Sequence, residues 1–246
     1  MGVIGSSGNA AGKPVINRST CTVCGECAAV CVGGVLVKCD REIRVDHDAP
    51  FDCIACGQCM MVCPMGSIKV TGRKISPADL VDLPPEELRA DFERLEALFL
   101  ARRSVRRFRK EHVPRETIDK VIRAAATAPM GVPPWEVGIL VFHGQEKVRA
   151  LATDTADAYG KLLKFLEGPA GRVWRKMMKK PAREALESFI LPLGRALVDG
   201  RKRGIDYVLY DAPAALLFHS SPYSDGADAY IACTYAMLAA ESLGLG

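Results

Sequence analysis

The chain lacks any stretch approaching the roughly 18 consecutive apolar residues of a membrane-crossing helix, which argues against a membrane-embedded protein. Its start lacks the charged segment and apolar run of a secretory signal, so the expected location is cytoplasmic, with no membrane partner. Aromatic residues make up only 7% of the chain. They are not interleaved with the basic residues in any recognisable module, so no nucleic-acid partner is expected. The four histidines, His47, His112, His143 and His219, are scattered without ligand spacing and carry no catalytic assignment. A phosphate loop is missing as well: Gly8 to Lys13 has the wrong spacing, and Pro14 stands where Ser or Thr would bind magnesium.

What the chain does have is cysteine, ten in 246 residues. Without a secretion signal these point to metal or redox chemistry, because cytosolic thiols stay reduced. Eight of them fall in two runs of the same layout. One is Cys21-Thr-Val-Cys24-Gly-Glu-Cys27-Ala-Ala-Val-Cys31 and the other Cys53-Ile-Ala-Cys56-Gly-Gln-Cys59-Met-Met-Val-Cys63, so the segment is an internal duplication. Three cysteines separated by two residues each wrap three corners of an iron–sulfur cubane. The fourth, three residues on, reaches the other cluster. This crossing assigns Cys21, Cys24, Cys27 and Cys63 to one [4Fe–4S] cluster and Cys53, Cys56, Cys59 and Cys31 to a second. Zinc sites use two separated pairs rather than four cysteines in a run, which disfavours zinc. Pro64 after Cys63 fits the bacterial ferredoxin pattern, whereas Val32 after Cys31 departs from it. Cys39 and Cys233 have no partner at motif spacing and are read as a spare thiol and a core residue.

The fold class is α+β with helices dominant. Residues 1–14, rich in Gly, Ala and Ser, are expected to form a flexible leader, and residues 15–75 a small two-cluster domain resembling bacterial ferredoxins. With its short β-prone pieces, Val35-Leu36-Val37, Ile43-Arg44-Val45 and Ile68-Lys69-Val70, it is too small to bury much core by itself, so metal is expected to supply the missing stability. Residues 76–89 form a Pro-rich linker. Across the junction with the remaining domain, 90–246, Leu88, Phe92, Leu95 and Phe99 recur at helical spacing, so the helix has one apolar face. A helix is expected from Pro114 to Ala126, a buried strand from Val137 to Phe142, and helices over 144–203 broken at Gly168-Pro169, Pro181 and Pro192. A second buried strand, Ala214 to Phe218, and an apolar helix from Ala227 to Leu243 complete the pattern. Residues 161–203 hold twelve Lys/Arg against four Asp/Glu, either a solvated helical surface or a dock for an acidic electron donor.

Arg102-Arg103-Ser104-Val105-Arg106 sits where an apolar helix ends, and guanidiniums beside a hydroxyl suit a phosphate. With this run the chain comes to resemble the FMN-dependent nitroreductase family. The further matching pieces, in the family's order, are Ala124 to Pro129, Trp135 before the strand at Val137, Asp211-Ala-Pro213, and Ala239 to Gly246 ending in Gly-Leu-Gly. The resemblance implies that Arg102, Arg103, Ser104 and Arg106 hold the FMN phosphate, and that Pro129, Met130 and Gly131 lie along the flavin. The loop Met130-Gly-Val-Pro-Pro134 is shorter than the family's, which often carries Asn and Gln, so ring recognition is expected to rest on backbone groups. The family's chain continues past Gly-Leu-Gly, so a C-terminal part of the domain is expected to be missing.

The fusion implies an FMN-dependent, nitroreductase-like oxidoreductase that converts one-electron supply into two-electron reduction. Its expected donor is reduced ferredoxin or NAD(P)H, and its acceptor a small nitroaromatic, quinone or activated alkene. The expected assembly is a homodimer. The alternative from another class is a non-enzymatic electron carrier whose second domain serves for docking.

Overall fold

The computed structural model describes residues 11–72, 77–131, 137–221 and 224–246. The described residues within 1–100, 124–138 and 218–236 form one compact unit, and those within 101–123, 139–217 and 237–246 form another. This division does not run at residue 90, because segments from the later part of the chain return to the first unit.

The first unit opens with strand β1 (Lys13–Ile16) and short helix α1 (Glu26–Ala29), followed by β2 (Leu36–Lys38) and β3 (Ile43–Val45). Helix α2 (Gln58–Met61) and β4 (Ile68–Thr71) repeat the same plan. β1 pairs antiparallel with β4, Lys13 opposite Thr71 and Ile16 opposite Ile68. β2 and β3 form a hairpin with Leu36 opposite Val45, its turn closed by the Cys39 N–H on the Glu42 carbonyl. The leader therefore ends earlier than expected: Gly12 is buried and donates its N–H to the Cys53 carbonyl at 2.7 Å, and Lys13 and Pro14 belong to β1. Cys27, Leu36, Ile43, Ala55, Cys59, Met60, Ile68 and Val70 make the core, so two prospective metal ligands sit among its aliphatic residues.

Two single 3₁₀ turns, Pro77–Asp79 and Glu86–Leu88, lie in the Pro-rich linker. Helix α3 (Phe92–Ala101) follows at the spacing its sequence predicts, but none of its residues is buried, and Phe92, Phe99 and Leu100 are largely exposed. Helix α4 (Arg115–Ala125) buries Ile118, Val121 and Ala125 at i, i+3 and i+7. Strand β5 (Val137–His143) comes next.

The second unit is built on α5 (Gln145–Glu167), whose stripe of Val148, Ala152, Ala156, Leu163 and Leu166 is buried. Helix α6 (Pro169–Met177) turns back on α5 so closely that a side chain at Gly171 would strike the backbone of Phe165 and Leu166. Helix α7 (Lys180–Ala185) and α8 (Leu191–Lys202) follow, with Leu163, Leu166, Leu186 and Leu191 packed together. The breaks at Gly168-Pro169 and Pro181 match the expectation, each proline lying in the first turn of a new helix, whereas the one at Pro192 does not. Pro181 starts α7, and the chain passes into α8 through a π turn at Leu186–Ile190 without leaving helical geometry. The wider turn accommodates the ring and missing N–H of Pro192 in place of a break.

Strand β6 (Ala214–Ser220) pairs with β5. Both run further than expected and are only half-buried, with Leu140 and Leu217 exposed, so neither is the fully buried strand its apolar sequence suggests. Helix α9 (Gly226–Ser242) ends in a left-handed Gly244 whose neighbour Leu245 donates to the Ala240 carbonyl, a glycine C-cap. Among the described residues no helix is long and apolar enough to cross a membrane.

Candidate functional site

The two cysteine runs adopt one backbone shape twice. Val23 and Ala55 are left-handed at φ 57° and 55°, and Gly25 and Gly57 follow at 96° and 77°. Each glycine begins a four-residue helix that carries the third cysteine, Cys27 or Cys59, into the core. The turn after the fourth cysteine also repeats: Gly34 N–H donates to Cys31 O at 3.0 Å and Gly66 N–H to Cys63 O at 3.1 Å. Val32 therefore makes the same turn as Pro64, because the bond that closes it uses neither residue's N–H.

These shapes bring the cysteines together in crossed sets. One cavity is lined by Cys21, Cys24, Cys27 and Cys63, with Ile43 and Ile68 among its walls. A second is lined by Cys31, Cys53, Cys56 and Cys59, with Leu36 and Val70. Electrostatics follow the same grouping. Burial pushes the Cys27 thiol pKa up, and Cys63, Cys24 and Cys21 add to the rise. Burial likewise pushes Cys59 up to about 12, helped by Cys53 and Cys56, then Cys27 and Cys31. Cys63 goes the other way. Burial opposes its ionisation, but backbone N–H groups of Ser67, Met65 and Ile68 outweigh it and lower the pKa; the Ser67 nitrogen lies 3.2 Å from Sγ. Such N–H donors are already set to receive a thiolate.

Among the described residues no three His, Cys, Asp or Glu side chains converge as a single-ion site requires. Four thiols spread over the walls of an apolar cavity instead fit a larger, multi-iron group. Cys24 is the exposed member of the eight, whereas Cys27 and Cys59, one from each set, are buried. Cys39 and Cys233 line neither cavity, and burial raises the Cys233 thiol pKa.

The phosphate-type run lies in the second unit, in the segment without regular secondary structure that joins α3 to α4. Arg103, Ser104 and Arg106 are exposed and Arg102 is half-buried. The Arg106 guanidinium sits over the Tyr210 ring, 5.9 Å from its centroid. Tyr210 and Asp211 are both left-handed at φ 55°. Asp206 holds this turn, its carboxylate accepting from the N–H groups of Val208, Leu209 and Asp211 at 2.8, 2.9 and 3.0 Å. Arg149 closes the turn from outside with an ion pair to Asp211 at 2.7 Å. The end of the Gly-Leu-Gly segment packs on the same run, since a side chain at Gly246 would strike Val105.

Pro129, Met130 and Gly131 lie in the first unit. Pro129 and Gly131 are exposed, Met130 is half-buried, and Gly131 donates its N–H to Asp228 Oδ1 at 2.9 Å. Trp135 and the rest of the short loop lie outside the described residues.

Sequence reasoning missed four residues. Asp228 reads as an ordinary acid in the first turn of a helix, and only its depth reveals more. Tyr210 has no motif. His112 and His143 are 31 positions apart by number yet stack at 4.5 Å between ring centroids, with His143 Nε2 2.8 Å from the Val113 carbonyl oxygen.

Residues 100–246 match the nitroreductase family, and residues 13–64 match the 4Fe-4S dicluster domain. A 54-residue stretch is 46% identical to iodotyrosine deiodinase 1 from Mus musculus, covering 21% of this chain and 19% of that protein. The chain thus spans about a fifth of the length of that relative. Similar solved structures include a nitroreductase with bound FMN from Bacteroides fragilis, at 20% identity and a TM-score of 0.40, covering 61% of this chain and 65% of that one. An oxidised iodotyrosine deiodinase bound to FMN and 3-iodo-L-tyrosine matches at 25% identity and a TM-score of 0.39, covering 62% and 71%.

Proposed function

Because the chain belongs to the nitroreductase family and carries a 4Fe-4S dicluster domain ahead of it, we propose that it is an iron–sulfur flavoprotein oxidoreductase acting on a small organic acceptor. The observation that carries this proposal is the sorting of eight cysteines into two cavities, each holding three from one run and the fourth from the other. Bound iron–sulfur clusters supply one-electron transfer, and bound FMN couples it to two-electron reduction of the acceptor.

Cys21, Cys24, Cys27 and Cys63 hold the first cluster, and Cys31, Cys53, Cys56 and Cys59 the second. The exposed Cys24 makes the first set the side on which a donor, reduced ferredoxin or NAD(P)H, delivers electrons. The buried Cys27 and Cys59 face each other electrostatically and give the route between the sets. Aliphatic walls keep water from the thiolates, and the N–H groups around Cys63 offset its charge.

Arg102, Arg103, Ser104 and Arg106 hold the FMN phosphate, with Tyr210 steadying Arg106 from behind. Pro129, Met130 and Gly131 present backbone groups along the ring. A second copy of the chain covers the exposed apolar face of α3, giving the homodimer. The basic surface of α6 to α8 suits an acidic donor protein.

The test is an anaerobic assay with reduced ferredoxin or NAD(P)H and a panel of one nitroaromatic, one quinone, one activated alkene and 3-iodo-L-tyrosine. The iodinated phenol belongs in the panel because of the deiodinase likeness. Turnover of at least one acceptor, lost on Arg106→Ala or Cys63→Ser, supports the enzyme. Electron uptake by the clusters with no acceptor turned over supports the carrier instead.

A further inference from the structure

We propose that Asp228 is a positioning residue that holds the loop at Pro129 to Gly131 ready for the flavin, a role that rests on the flavin function above. Asp228 lies in the first turn of α9 and is 2% exposed. Oδ1 accepts the Gly131 N–H at 2.9 Å, whereas Oδ2 has no hydrogen-bond partner among the described residues. Both oxygens lie beside the glycine, 3.5 and 3.9 Å from where its Cβ would stand.

Burying a carboxylate is costly unless its oxygens are hydrogen-bonded, and one of these two is not. The helix N-terminus offsets part of that cost. An alanine at this position would avoid that cost but would take away the acceptor of the Gly131 N–H. What the acid positions is the amide of an otherwise exposed loop residue. Exposed loops sample many conformations, and a ligand that must order one binds more weakly. A buried, immobile acceptor orders this loop beforehand. Its spare oxygen leaves capacity for a second donor at the same place.

The experiment uses the full chain, purified without oxygen, in four forms: Asp228→Ala, Asp228→Asn, Gly131→Pro, which removes the donor N–H, and the Ala/Pro double variant. FMN affinity is read by fluorescence titration, Gly131 amide exchange by hydrogen exchange in flavin-free protein, and iron content as a control on the fold. Asp228→Ala and Gly131→Pro should each weaken FMN binding about tenfold or more, and the double variant no further than either alone. Asp228→Asn, which keeps Oδ1 as acceptor, should restore affinity to within roughly threefold, and Asp228→Ala should speed Gly131 exchange roughly tenfold or more. Iron content should not change.

Unchanged FMN affinity in Asp228→Ala, or losses that multiply in the double variant, would overturn the role. Should Asp228→Ala fail to fold, Gly131→Pro decides alone: wild-type affinity in that variant is equally fatal. A wild-type chain that binds no FMN overturns the flavin function first, and the exchange rate of Gly131 then reads the anchor by itself.

Discussion

Val23 and Ala55 occupy the same place in the two cysteine runs and share a left-handed backbone, φ 57° against 55°. For a β-branched residue this region is a genuine outlier, and each such position costs of order 1–3 kcal/mol. That both halves carry the same strain indicates that a common shape, a chain wrapped around a compact group, is what the strain serves. The second wrap has a close neighbour: a Cβ on Gly12 would stand 2.8 Å from Cys53 Sγ and 3.0 Å from Ala55 Cβ. Gly12→Ala is therefore expected to cost the second cluster selectively. Bound iron should fall from about eight toward about four per chain, measured by iron analysis with electron paramagnetic resonance of the reduced protein.

Removing the clusters should make the fold sensitive to alkali. Burial pushes the Cys59 thiol up to about 12 from an ordinary value near 9. In cluster-free protein its neutral form stabilises the fold fully below about pH 9, and that contribution is lost as pH rises toward about 12. Denaturant unfolding of chelator-stripped protein should show a midpoint that falls over this range. Cys59→Ala should flatten the fall.

Arg106 should matter more to flavin than Tyr210 does. A charged hydrogen bond to phosphate contributes about 1.5–3 kcal/mol, so Arg106→Ala should weaken FMN binding roughly 10- to 100-fold. A cation–π contact at an exposed site is worth about 0.5–1 kcal/mol, so Tyr210→Leu should cost less than about tenfold. Titrating the flavin-free chain with FMN measures both.

The exposed face of α3 should be an interface. Phe92 and Phe99 are 69% and 51% exposed in the single chain, more than side chains of this size usually are without a partner. Phe92→Asp combined with Phe99→Asp should convert a dimer to a monomer in light scattering, with bound iron unchanged. A wild-type chain that is already monomeric would contradict the assignment.

The cluster layout was legible because its information is local. The spacing within each run lies within a few residues, and the duplication and the crossing of Cys31 and Cys63 follow from setting the two runs side by side. Strand β1 was not legible, since Lys13 to Ile16 have four residues, include Pro14, and acquire meaning only from pairing with Ile68 to Thr71. The helices of the later segments followed from periodicity, but Pro192 does not break its helix because a π turn takes up the misfit. The burial expected of β5 and β6 failed, and the apolar face of α3 stands exposed, for one reason: an apolar pattern states that a face wants covering and not what covers it. Asp228 was hidden for the opposite reason, an acid whose partner amide is far away in sequence.

The most direct measurement is joint quantification of iron, sulfide and FMN in protein prepared without oxygen, for wild type and for Cys31→Ser combined with Cys63→Ser. Two crossed clusters and one flavin predict about eight irons, about eight sulfides and one FMN per chain in the wild type. The double serine variant should lose most of that iron, because it takes a ligand from each set. Stoichiometric zinc in place of iron, or a double variant with its metal intact, would contradict the crossed pair on which the proposed oxidoreductase depends.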